Sequence, residues 1–299
     1  MNSKLGTALS AATSLLIEAE VSSPQVDAEL LLAHVLGVER SQLITIQEIS
    51  DEQFSDFNDL VARRANRIPL QHLTGVAYFR HLELSVGPGV FVPRPETELL
   101  VEAAVSHLKS FNSPRIAVDL CSGSGAIALS LALEVPGTTV HAVELSDDAF
   151  KWLTHNVVDQ AAKLESVDSH VIVHHGNAGD RTLLADLVGQ VDAVVSNPPY
   201  IPSEMIPRDP EARDHDPAIA LFSGRDGLDV AREVVLVAAD LLKPGGFIGM
   251  EHADVQGQSM PALFQAVPNV WSDVIDNLDY NELPRFTTAI RSIDVSVGR

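Results

Sequence analysis

Asp119-Leu120-Cys121-Ser122-Gly123-Ser124-Gly125 is the stretch on which the fold assignment depends. It follows an apolar run at residues 116–120 that is typical of a buried strand. The run after it, at 126–134, is typical of a helix. Glycines let the backbone approach a ligand closely, and free N–H groups at a helix start face that ligand. The stretch therefore predicts a ligand-binding loop between a strand and a helix.

Strands and helices alternate through the rest of the chain. Apolar strands alternating with helices of this length indicate an α/β fold with a parallel, doubly wound sheet. Two further strands end the chain. The predicted strands are residues 116–120, 139–143, 170–174, 193–196, 247–250, 270–276 and 286–290, and the predicted helices are 126–134, 149–162, 181–187 and 230–242.

The N-terminal part has a different pattern, because residues 1–68 predict helices only. Ser50 and Gln53 have the spacing of a capping box at a helix start. A small helical bundle of this kind is typical either of a partner-binding module or of a structural scaffold. Three arginines lie at the end of the helix that begins after Ser50: Arg63, Arg64 and Arg67. We expect their side chains to be solvated and not to contact RNA or an acidic partner.

A linker separates the two parts. Residues 81–86 alternate like a strand, 87–89 predict a turn and 90–92 a second strand, which together indicate a hairpin. A helix follows from Pro95. We expect a helical domain at 1–75, a hairpin-and-helix linker at 76–112 and an α/β domain at 113–299.

Composition excludes several classes of protein. The 299 residues include 20 Lys and Arg against 41 Asp and Glu, a net charge of -21 that disfavours direct binding to nucleic acid. The one cysteine excludes an intrachain disulfide and a multi-cysteine zinc site. His170, His174 and His175 lack metal-ligand spacing, so we expect no metal. No apolar run is long enough to span a bilayer, and we expect a cytoplasmic protein with no membrane partner.

Two acids flank the glycine loop. Glu144 ends the next strand, 21 residues after Gly123, where a carboxylate can accept hydrogen bonds from both ribose hydroxyls. Gly123-x-Gly125-x-x-Ala128 also fits the dinucleotide fingerprint, which leaves an NAD-dependent dehydrogenase as an alternative. Asp119 favours a cationic ligand, such as a sulfonium or an ammonium, over a pyrophosphate.

Asn197-Pro198-Pro199-Tyr200 follows the fourth strand of the α/β part, at the sheet edge where ligands bind. The prolines stiffen the loop and leave carbonyls free to accept hydrogen bonds. This rigid loop beside an aromatic ring suits an NH2 group on a flat amide or amine. By accepting both N–H bonds of an amide, Asn197 and the Pro198 carbonyl would orient its weakly nucleophilic nitrogen toward an electrophilic methyl group.

Several segments together resemble one known family. They are the glycine loop and the segments Pro-Leu-Gln-His-Leu-Thr-Gly (69–75), Val-Pro-Arg-Pro-Glu-Thr-Glu (92–98), Ser-Asn-Pro-Pro-Tyr-Ile (196–201), Ala-Leu-Phe-Ser-Gly-Arg-Asp-Gly-Leu (220–228) and Lys-Pro-Gly-Gly (243–246). Over nearly its whole length the chain resembles the bacterial release-factor glutamine N(5)-methyltransferases, the HemK or PrmC family. Asn-Pro-Pro-Tyr alone also occurs in DNA and RNA amino-methyltransferases, whereas its combination with segment 92–98 is more specific.

The resemblance implies a class I S-adenosylmethionine-dependent methyltransferase fold. This is a Rossmann-like, mostly parallel seven-stranded sheet with a C-terminal antiparallel hairpin, preceded by a helical domain that binds release factors. The implied reaction methylates the side-chain amide of the glutamine in the Gly-Gly-Gln motif of class 1 peptide chain release factors, a step in translation termination. S-adenosyl-L-methionine becomes S-adenosyl-L-homocysteine, and we expect the enzyme to be a monomer.

The resemblance also implies site residues. The cofactor site falls on Cys121, Ser122, Gly123, Ser124, Gly125, Glu144, Asn177, Ala178 and Asn197, to which the charge argument adds Asp119. The catalytic site, which also binds the glutamine, falls on Asn197, Pro198, Pro199 and Tyr200. The segment over the active site contributes further substrate-binding residues: Phe91, Arg94, Glu96 and Thr97.

Four positions depart from the family pattern. Cys121 replaces a usual glycine, so we expect a backbone conformation open to L-residues there and an inert, small apolar side chain. Asn177 replaces a common aspartate, but its side-chain carbonyl can still accept a bond from an adenine amino group. Ser122 replaces threonine and His72 replaces tyrosine. The alternatives that stay open are an amino-methyltransferase acting on adenine or cytosine in nucleic acid, and a catalytically idle release-factor-binding protein.

Overall fold

The computed structural model describes residues 3–46, 48–112 and 114–293. Residues 1–2 and 294–299, at the ends of the predicted domains, and the predicted boundary at Ser113 lie outside this range. The chain forms two compact units. The first comprises Met1–Val76, Val86–Pro88 and Ile206–Asp216, and the second comprises Ala77–Ser85, Gly89–Met205 and Pro217–Arg299. No helix in the described part is long and apolar enough to cross a membrane.

The secondary structure follows the predicted alternation over most of the chain. The helices are α1 (Ser3–Glu18), α2 (Pro24–Leu36), α3 (Asp51–Ala65), α4 (Leu70–Thr74), α5 (Thr97–Leu108), α6 (Ala126–Glu134), α7 (Asp147–Asp159), α8 (Ala161–Ser166), α9 (Pro210–His215), α10 (Ala218–Leu221), α11 (Asp229–Leu241) and α12 (Ser259–Gln265). The strands are β1 (Val76–Phe79), β2 (Leu82–Ser85), β3 (Arg115–Leu120), β4 (Thr138–Glu144), β5 (His170–His175), β6 (Val191–Ser196), β7 (Leu242–Glu251), β8 (Trp271–Leu278) and β9 (Pro284–Arg291).

The first unit is helical and has its own apolar core. The capping box at α3 is confirmed: the Gln53 N–H donates to Ser50 Oγ at 3.1 Å, and the Ser50 N–H donates to Gln53 Oε1 at 2.9 Å. This arrangement satisfies two backbone donors at the helix start. Side chains from α1, α2 and α3 meet in the core, among them Leu16, Leu32 and Phe57, which are completely buried.

The predicted solvated end of α3 is wrong at two of its three arginines. Arg64 is buried, and it donates to Asp27 Oδ2 and to Glu211 Oε1, both at 2.8 Å. Arg67 donates to Glu211 Oε2 at 2.5 Å, whereas Arg63 is exposed as expected. The carboxylates that compensate these charges are distant in sequence, so the charge pattern of α3 alone could not reveal them.

The second unit contains a seven-stranded sheet in the order β5-β4-β3-β6-β7-β9-β8. Pairing is parallel from β5 to β7, and β9 is antiparallel to both β7 and β8. The predicted mostly parallel sheet with a C-terminal antiparallel hairpin is therefore confirmed. The chain runs outward from β3 in one direction and then returns to β6 on its other side. This change of direction is a switch point, where ligands of open α/β sheets bind.

The predicted hairpin is wrong in position. The paired strands are β1 and β2, joined by Arg80 and His81, and residues 90–92 form no strand. Arg80 has a positive φ of 51°, which is unusual for a residue other than glycine. Its backbone N–H donates to Glu98 Oε1 at 2.9 Å, and its guanidinium binds Glu134. Because these contacts to α5 and α6 hold the turn, no local turn sequence marks it.

Two predicted helices also differ from the structure. Residues 181–187 contain only a short 3-10 turn, Ala185–Leu187. The helix predicted at 149–162 is two helices, α7 and α8. The other predicted strands and helices of the α/β part match observed elements with small shifts at their ends, except that the strand predicted at 247–250 already begins at Leu242.

We predict that Arg64→Ala lowers the free energy of unfolding by about 3–5 kcal/mol, because it leaves the buried Asp27 carboxylate without its paired cation and leaves Glu211 with Arg67 alone. Urea denaturation followed by circular dichroism measures the change. The matched control is Arg40→Ala, which removes an ion pair to Glu29 from a half-exposed arginine. That substitution should cost about 1 kcal/mol or less. Equal costs for the two variants would contradict the account.

Candidate active site

The glycine loop is held against the end of β4 by Glu144. This buried side chain accepts from the Gly123 N–H through Oε2 at 2.8 Å and from the Ser146 N–H through Oε1 at 2.7 Å. The Ser122 N–H donates to the Val143 carbonyl at 2.9 Å. Each carboxylate oxygen keeps a second lone pair, so Glu144 can still accept from a ligand hydroxyl. The ribose role assigned from the sequence stays a prediction, and the structure adds a loop-holding role.

The backbone at Cys121 differs from the expectation. Its φ is 67°, in the left-handed region, instead of a conformation open to L-residues. That conformation costs a residue other than glycine about 1–2 kcal/mol. Burial raises the pKa of the Cys121 thiol, and the nearby charges of Glu144 and Asp119 raise it further. The thiol is therefore protonated at neutral pH, which agrees with the prediction of an inert side chain.

Asp119 lies under the loop with one carboxylate oxygen available. The residue is completely buried, and its Oδ2 accepts the Ala128 N–H at 3.1 Å. Its Oδ1 is buried and has no hydrogen-bond partner within the part of the chain that the structure describes. Burial raises the pKa of Asp119 to about 7. A buried acceptor of this kind suits a ligand that brings an N–H donor or a positive charge.

Asn177 and Ala178 follow β5, next to Glu144. The Gly176 N–H donates to the Glu144 carbonyl at 2.9 Å, which ties this loop to the end of β4. Asn177 Oδ1 accepts from the Gly179 N–H at 2.9 Å, and it keeps a second lone pair for an incoming donor. Ala178 is buried. The loops after β3, β4 and β5, which carry the predicted cofactor residues other than Asn197, therefore share one edge of the sheet.

The Asn-Pro-Pro-Tyr loop leaves β6 beside the glycine loop. Leu120 and Ser196 are partners in the register of β3 and β6, and Ser196 Oγ donates to the Leu120 carbonyl at 2.6 Å. The Tyr200 carbonyl accepts from Gln256 Nε2 at 3.0 Å. A Cβ on Gly227 would lie 2.2 Å from that carbonyl oxygen, so glycine is required there. The segment that carries Gly227 therefore packs tightly under the loop.

The start of α5 and the segment before it reach the same loop. Thr97 Oγ1 accepts from Asn197 Nδ2 at 3.2 Å. The guanidinium carbon of Arg94 lies 5.1 Å from the centroid of the Phe91 ring, a cation–π distance. Burial raises the pKa of the Tyr200 hydroxyl; the charge of Arg94 lowers it and that of Glu96 raises it. The structure therefore brings Thr97 into contact with Asn197 and puts Arg94 and Glu96 near Tyr200.

Sequence reasoning missed two polar residues at the site. Glu251 ends β7 and is buried, with Oε2 accepting from Thr97 Oγ1 at 2.6 Å and Oε1 lying 3.5 Å from the Tyr200 hydroxyl. Asn156, also buried, donates to the carbonyls of Ser85 and Ser124 at 3.0 and 2.9 Å. A signal existed for Glu251, because it directly follows the apolar run 247–250 at the ligand-binding edge. Asn156 had none, since its partners are remote in sequence.

The histidines singled out from the sequence, His170, His174 and His175, lie on β5, the edge strand next to β4. His174 on β5 stacks on His141, with their ring nitrogens 2.9 Å apart. Burial lowers the pKa of both rings. His175 stacks on Phe150. Within the described ranges, no group of three or more His, Cys, Asp or Glu residues is arranged to hold a metal ion.

Family models match both parts of the chain. The PrmC N-terminal domain matches residues 7–75, and the methyltransferase small domain matches residues 83–206. The second match covers the glycine loop, the loop after β5 and the Asn-Pro-Pro-Tyr loop. The site positions predicted from the sequence therefore lie within the segment that matches a methyltransferase domain, whereas Glu251 lies outside it.

Curated relatives match nearly the whole chain. A release factor glutamine methyltransferase from Streptomyces coelicolor is 50% identical over 285 residues, covering 94% of this chain and 96% of the relative. One from Mycolicibacterium smegmatis is 46% identical over 290 residues, covering 96% of this chain and 98% of the relative. A crystal structure titled protein-(glutamine-N5) methyltransferase (release factor-specific), from Alicyclobacillus acidocaldarius, is 27% identical with a TM-score of 0.42, covering 70% of this chain and 99% of that one.

We predict that Gly125→Ala destabilises the protein more than Gly123→Ala does. Both residues have positive φ, but a Cβ on Gly125 would lie 2.7 Å from Leu153 Cδ1, whereas one on Gly123 meets nothing within 4 Å. Backbone strain costs each variant about 1–2 kcal/mol, and overpacking adds about 1–3 kcal/mol at Gly125 alone. Urea denaturation of both variants measures the difference. Indistinguishable midpoints would show that Leu153 does not constrain the loop.

Proposed function

Because the chain belongs to the release factor glutamine methyltransferase family, we propose that it methylates a peptide chain release factor. The acceptor is the side-chain amide nitrogen of the glutamine in the Gly-Gly-Gln motif, and the methyl donor is S-adenosylmethionine. The observation that carries the proposal is the adjacency of two loops, since Leu120 and Ser196 pair across neighbouring strands. The glycine loop after β3 is suited to the methyl donor, and the Asn-Pro-Pro-Tyr loop after β6 is suited to the glutamine amide.

The donor is held on the edge formed by β3, β4 and β5. When bound, S-adenosylmethionine supplies an electrophilic methyl group on a positively charged sulfur. The free Oδ1 of Asp119 supports this choice of ligand, because a buried carboxylate oxygen favours a cation or an N–H donor over a phosphate. Glu144 binds the ribose. The remaining contacts come from Cys121, Ser122, Gly123, Ser124, Gly125, Asn177, Ala178 and Asn197.

The amide is held by the Asn-Pro-Pro-Tyr loop. Asn197 Oδ1 and the Pro198 carbonyl accept the two N–H bonds of the glutamine amide. They thereby direct its nitrogen toward the methyl group and stabilise the positive charge that develops as the nitrogen is alkylated. Pro199 keeps the loop rigid, and the Tyr200 ring lies beside the planar amide. No general base is needed before transfer, since the proton becomes acidic only as the nitrogen gains charge.

The helical unit binds the release factor. The match of residues 7–75 to the PrmC N-terminal domain supports this assignment. Phe91, Arg94, Glu96 and Thr97 complete the substrate site, which we assign to a monomer. A protein with net charge -21 is poorly suited to approach a nucleic-acid backbone, which favours a protein substrate over a base in DNA or RNA.

We predict that Asn197→Ala lowers kcat by about 100- to 1,000-fold, the usual cost of removing one preorganised hydrogen-bonding group. The assay is mass spectrometry of a recombinant release factor incubated with the enzyme and S-adenosylmethionine, with one added methyl group mapped to the Gly-Gly-Gln glutamine. The control is Asn112→Ala, an exposed asparagine before β3 at the opposite end of that strand. Normal activity of Asn197→Ala would refute the mechanism, and methylation of RNA or DNA alone would refute the substrate.

We predict that Glu144→Ala weakens the binding of S-adenosylhomocysteine, because each hydrogen bond to a carboxylate contributes about 1.5–3 kcal/mol. Isothermal titration calorimetry should show a dissociation constant at least about tenfold higher. Glu165→Ala, at an exposed position on α8, provides the control. Unchanged affinity of the Glu144 variant would place the ribose elsewhere, and no binding to the unaltered protein would favour an idle binding protein.

A further inference from the structure

The side-chain amide of Asn197 is the first member of a hydrogen-bonded chain that ends at a buried acid. Asn197 Nδ2 donates to Thr97 Oγ1 at 3.2 Å, and Thr97 Oγ1 donates to Glu251 Oε2 at 2.6 Å. Thr97 is 4% exposed and Glu251 is 1% exposed. Thr97 is the first residue of α5 and Glu251 is the last residue of β7. Two regular elements therefore fix both members that lie behind Asn197.

The direction of the hydrogen bonds follows from the chemistry of the last group. An ionised carboxylate can only accept, so the single hydroxyl proton of Thr97 is directed to Glu251. The Thr97 oxygen can then only accept from Asn197, which turns the NH2 group of that amide toward Thr97. The other end of the amide, Oδ1, is left for the substrate. If Glu251 were protonated, it could itself donate to Thr97, and the directions of these two hydrogen bonds would no longer be fixed.

We propose that Glu251, acting through Thr97, is a positioning residue that orients the Asn197 amide with its oxygen toward the substrate nitrogen. The proposal rests on the proposed function, because only an NH2 substrate requires an acceptor at that place. An inverted Asn197 amide would present its own NH2 group to the substrate and would repel it. The orientation therefore controls how the amide is held for reaction.

The charges around Glu251 make this orientation dependent on pH. Groups from the neighbouring elements face it: Thr97 and Glu96 at the start of α5, Asn197 and Tyr200 from the loop, and Arg285 from β9. Burial raises the pKa of Glu251 to about 7; the hydrogen bond from Thr97, the charge of Arg285 and a hydrogen bond from Asn197 lower it, and the charge of Glu96 raises it. Protonated Glu251 can donate to Thr97, whose proton is then free to reach Asn197 Oδ1. The ordered state is thus complete well above pH 7 and is lost as the pH falls through about 7.

We call the hydrogen-bonded chain Asn197–Thr97–Glu251 the relay. Kinetics at pH 8 test it with substitutions that barely change the shape of the side chain. Thr97→Val removes the hydroxyl, and we expect kcat to fall by about 10- to 100-fold while KM for the release factor changes by less than about threefold. Thr97→Ser, which restores the hydroxyl, should recover most of kcat. The matched control is Thr138→Val, a buried threonine at the start of β4 whose hydroxyl bonds to Val135. Wild-type kcat in Thr97→Val would overturn the proposal, as would failure of Thr97→Ser to recover activity in a folded protein.

A second measurement reads the relay without turnover. Asp119 also has a pKa raised to about 7, so the pH dependence of the overall rate would mix two groups. We therefore follow the side-chain NH2 signals of Asn197 by ¹⁵N NMR in the full chain, assigned by their loss in Asn197→Ala. We expect these signals to shift with a midpoint near pH 7, and the shift to disappear in Glu251→Gln. Signals that do not titrate in the unaltered protein, or that still titrate in Glu251→Gln, would overturn the proposal.

The two measurements separate the failure of the relay from the failure of the proposed function. If the unaltered protein does not methylate a release factor but the Asn197 signals titrate as expected, the relay stands and the substrate assignment fails. If methylation occurs and the signals do not titrate, the substrate assignment stands and the relay is wrong. Thermal unfolding of each variant excludes misfolding as the cause of a lost rate.

Discussion

The parallel pairing of β3 with β6 is the constraint on which the site depends. Adjacent strands lie about 4.8 Å apart. Because Leu120 pairs with Ser196, the glycine loop and the Asn-Pro-Pro-Tyr loop begin side by side at the same level of the sheet. The hydrogen bond from Ser196 Oγ to the Leu120 carbonyl fixes that register at the point where the strands end. If β6 were shifted by one residue, its side chains would exchange faces of the sheet and the loop after it would start at a different height. The glycine loop and the Asn-Pro-Pro-Tyr loop are thus brought together by backbone geometry.

Buried acids on either side of this junction give the site its electrostatic character. Asp119 lies under the glycine loop and Glu251 lies behind the Asn-Pro-Pro-Tyr loop, and burial raises the pKa of each to about 7. Burying a carboxylate is costly unless hydrogen bonds compensate it, and groups with such shifts concentrate at functional sites. Glu251 is compensated by Thr97, whereas Asp119 keeps one oxygen for a ligand. In the proposed mechanism the two acids serve different purposes: Asp119 offers an oxygen to the methyl donor, and Glu251 orders the groups that hold the acceptor.

Most of the fold could be predicted because its signals are local. The apolar periodicity of β3 to β7, the glycines after β3 and the capping box at Ser50 all lie within short windows of sequence. The failures share the opposite property. The β1–β2 turn is held by Arg80 against Glu98 and Glu134, and Arg64 is neutralised by Asp27 and Glu211, so each depends on residues far away in the chain. The left-handed backbone of Cys121 was missed because a side chain there suggested ordinary geometry.

The most direct test of the central claim is a crystal structure of the protein with S-adenosylhomocysteine and a peptide that contains Gly-Gly-Gln. The account predicts the nucleoside product on the loops after β3, β4 and β5, and the glutamine NH2 group within hydrogen-bond distance of Asn197 Oδ1 and the Pro198 carbonyl. A glutamine side chain bound away from the Asn-Pro-Pro-Tyr loop, or presenting its carbonyl oxygen to Asn197, would contradict it.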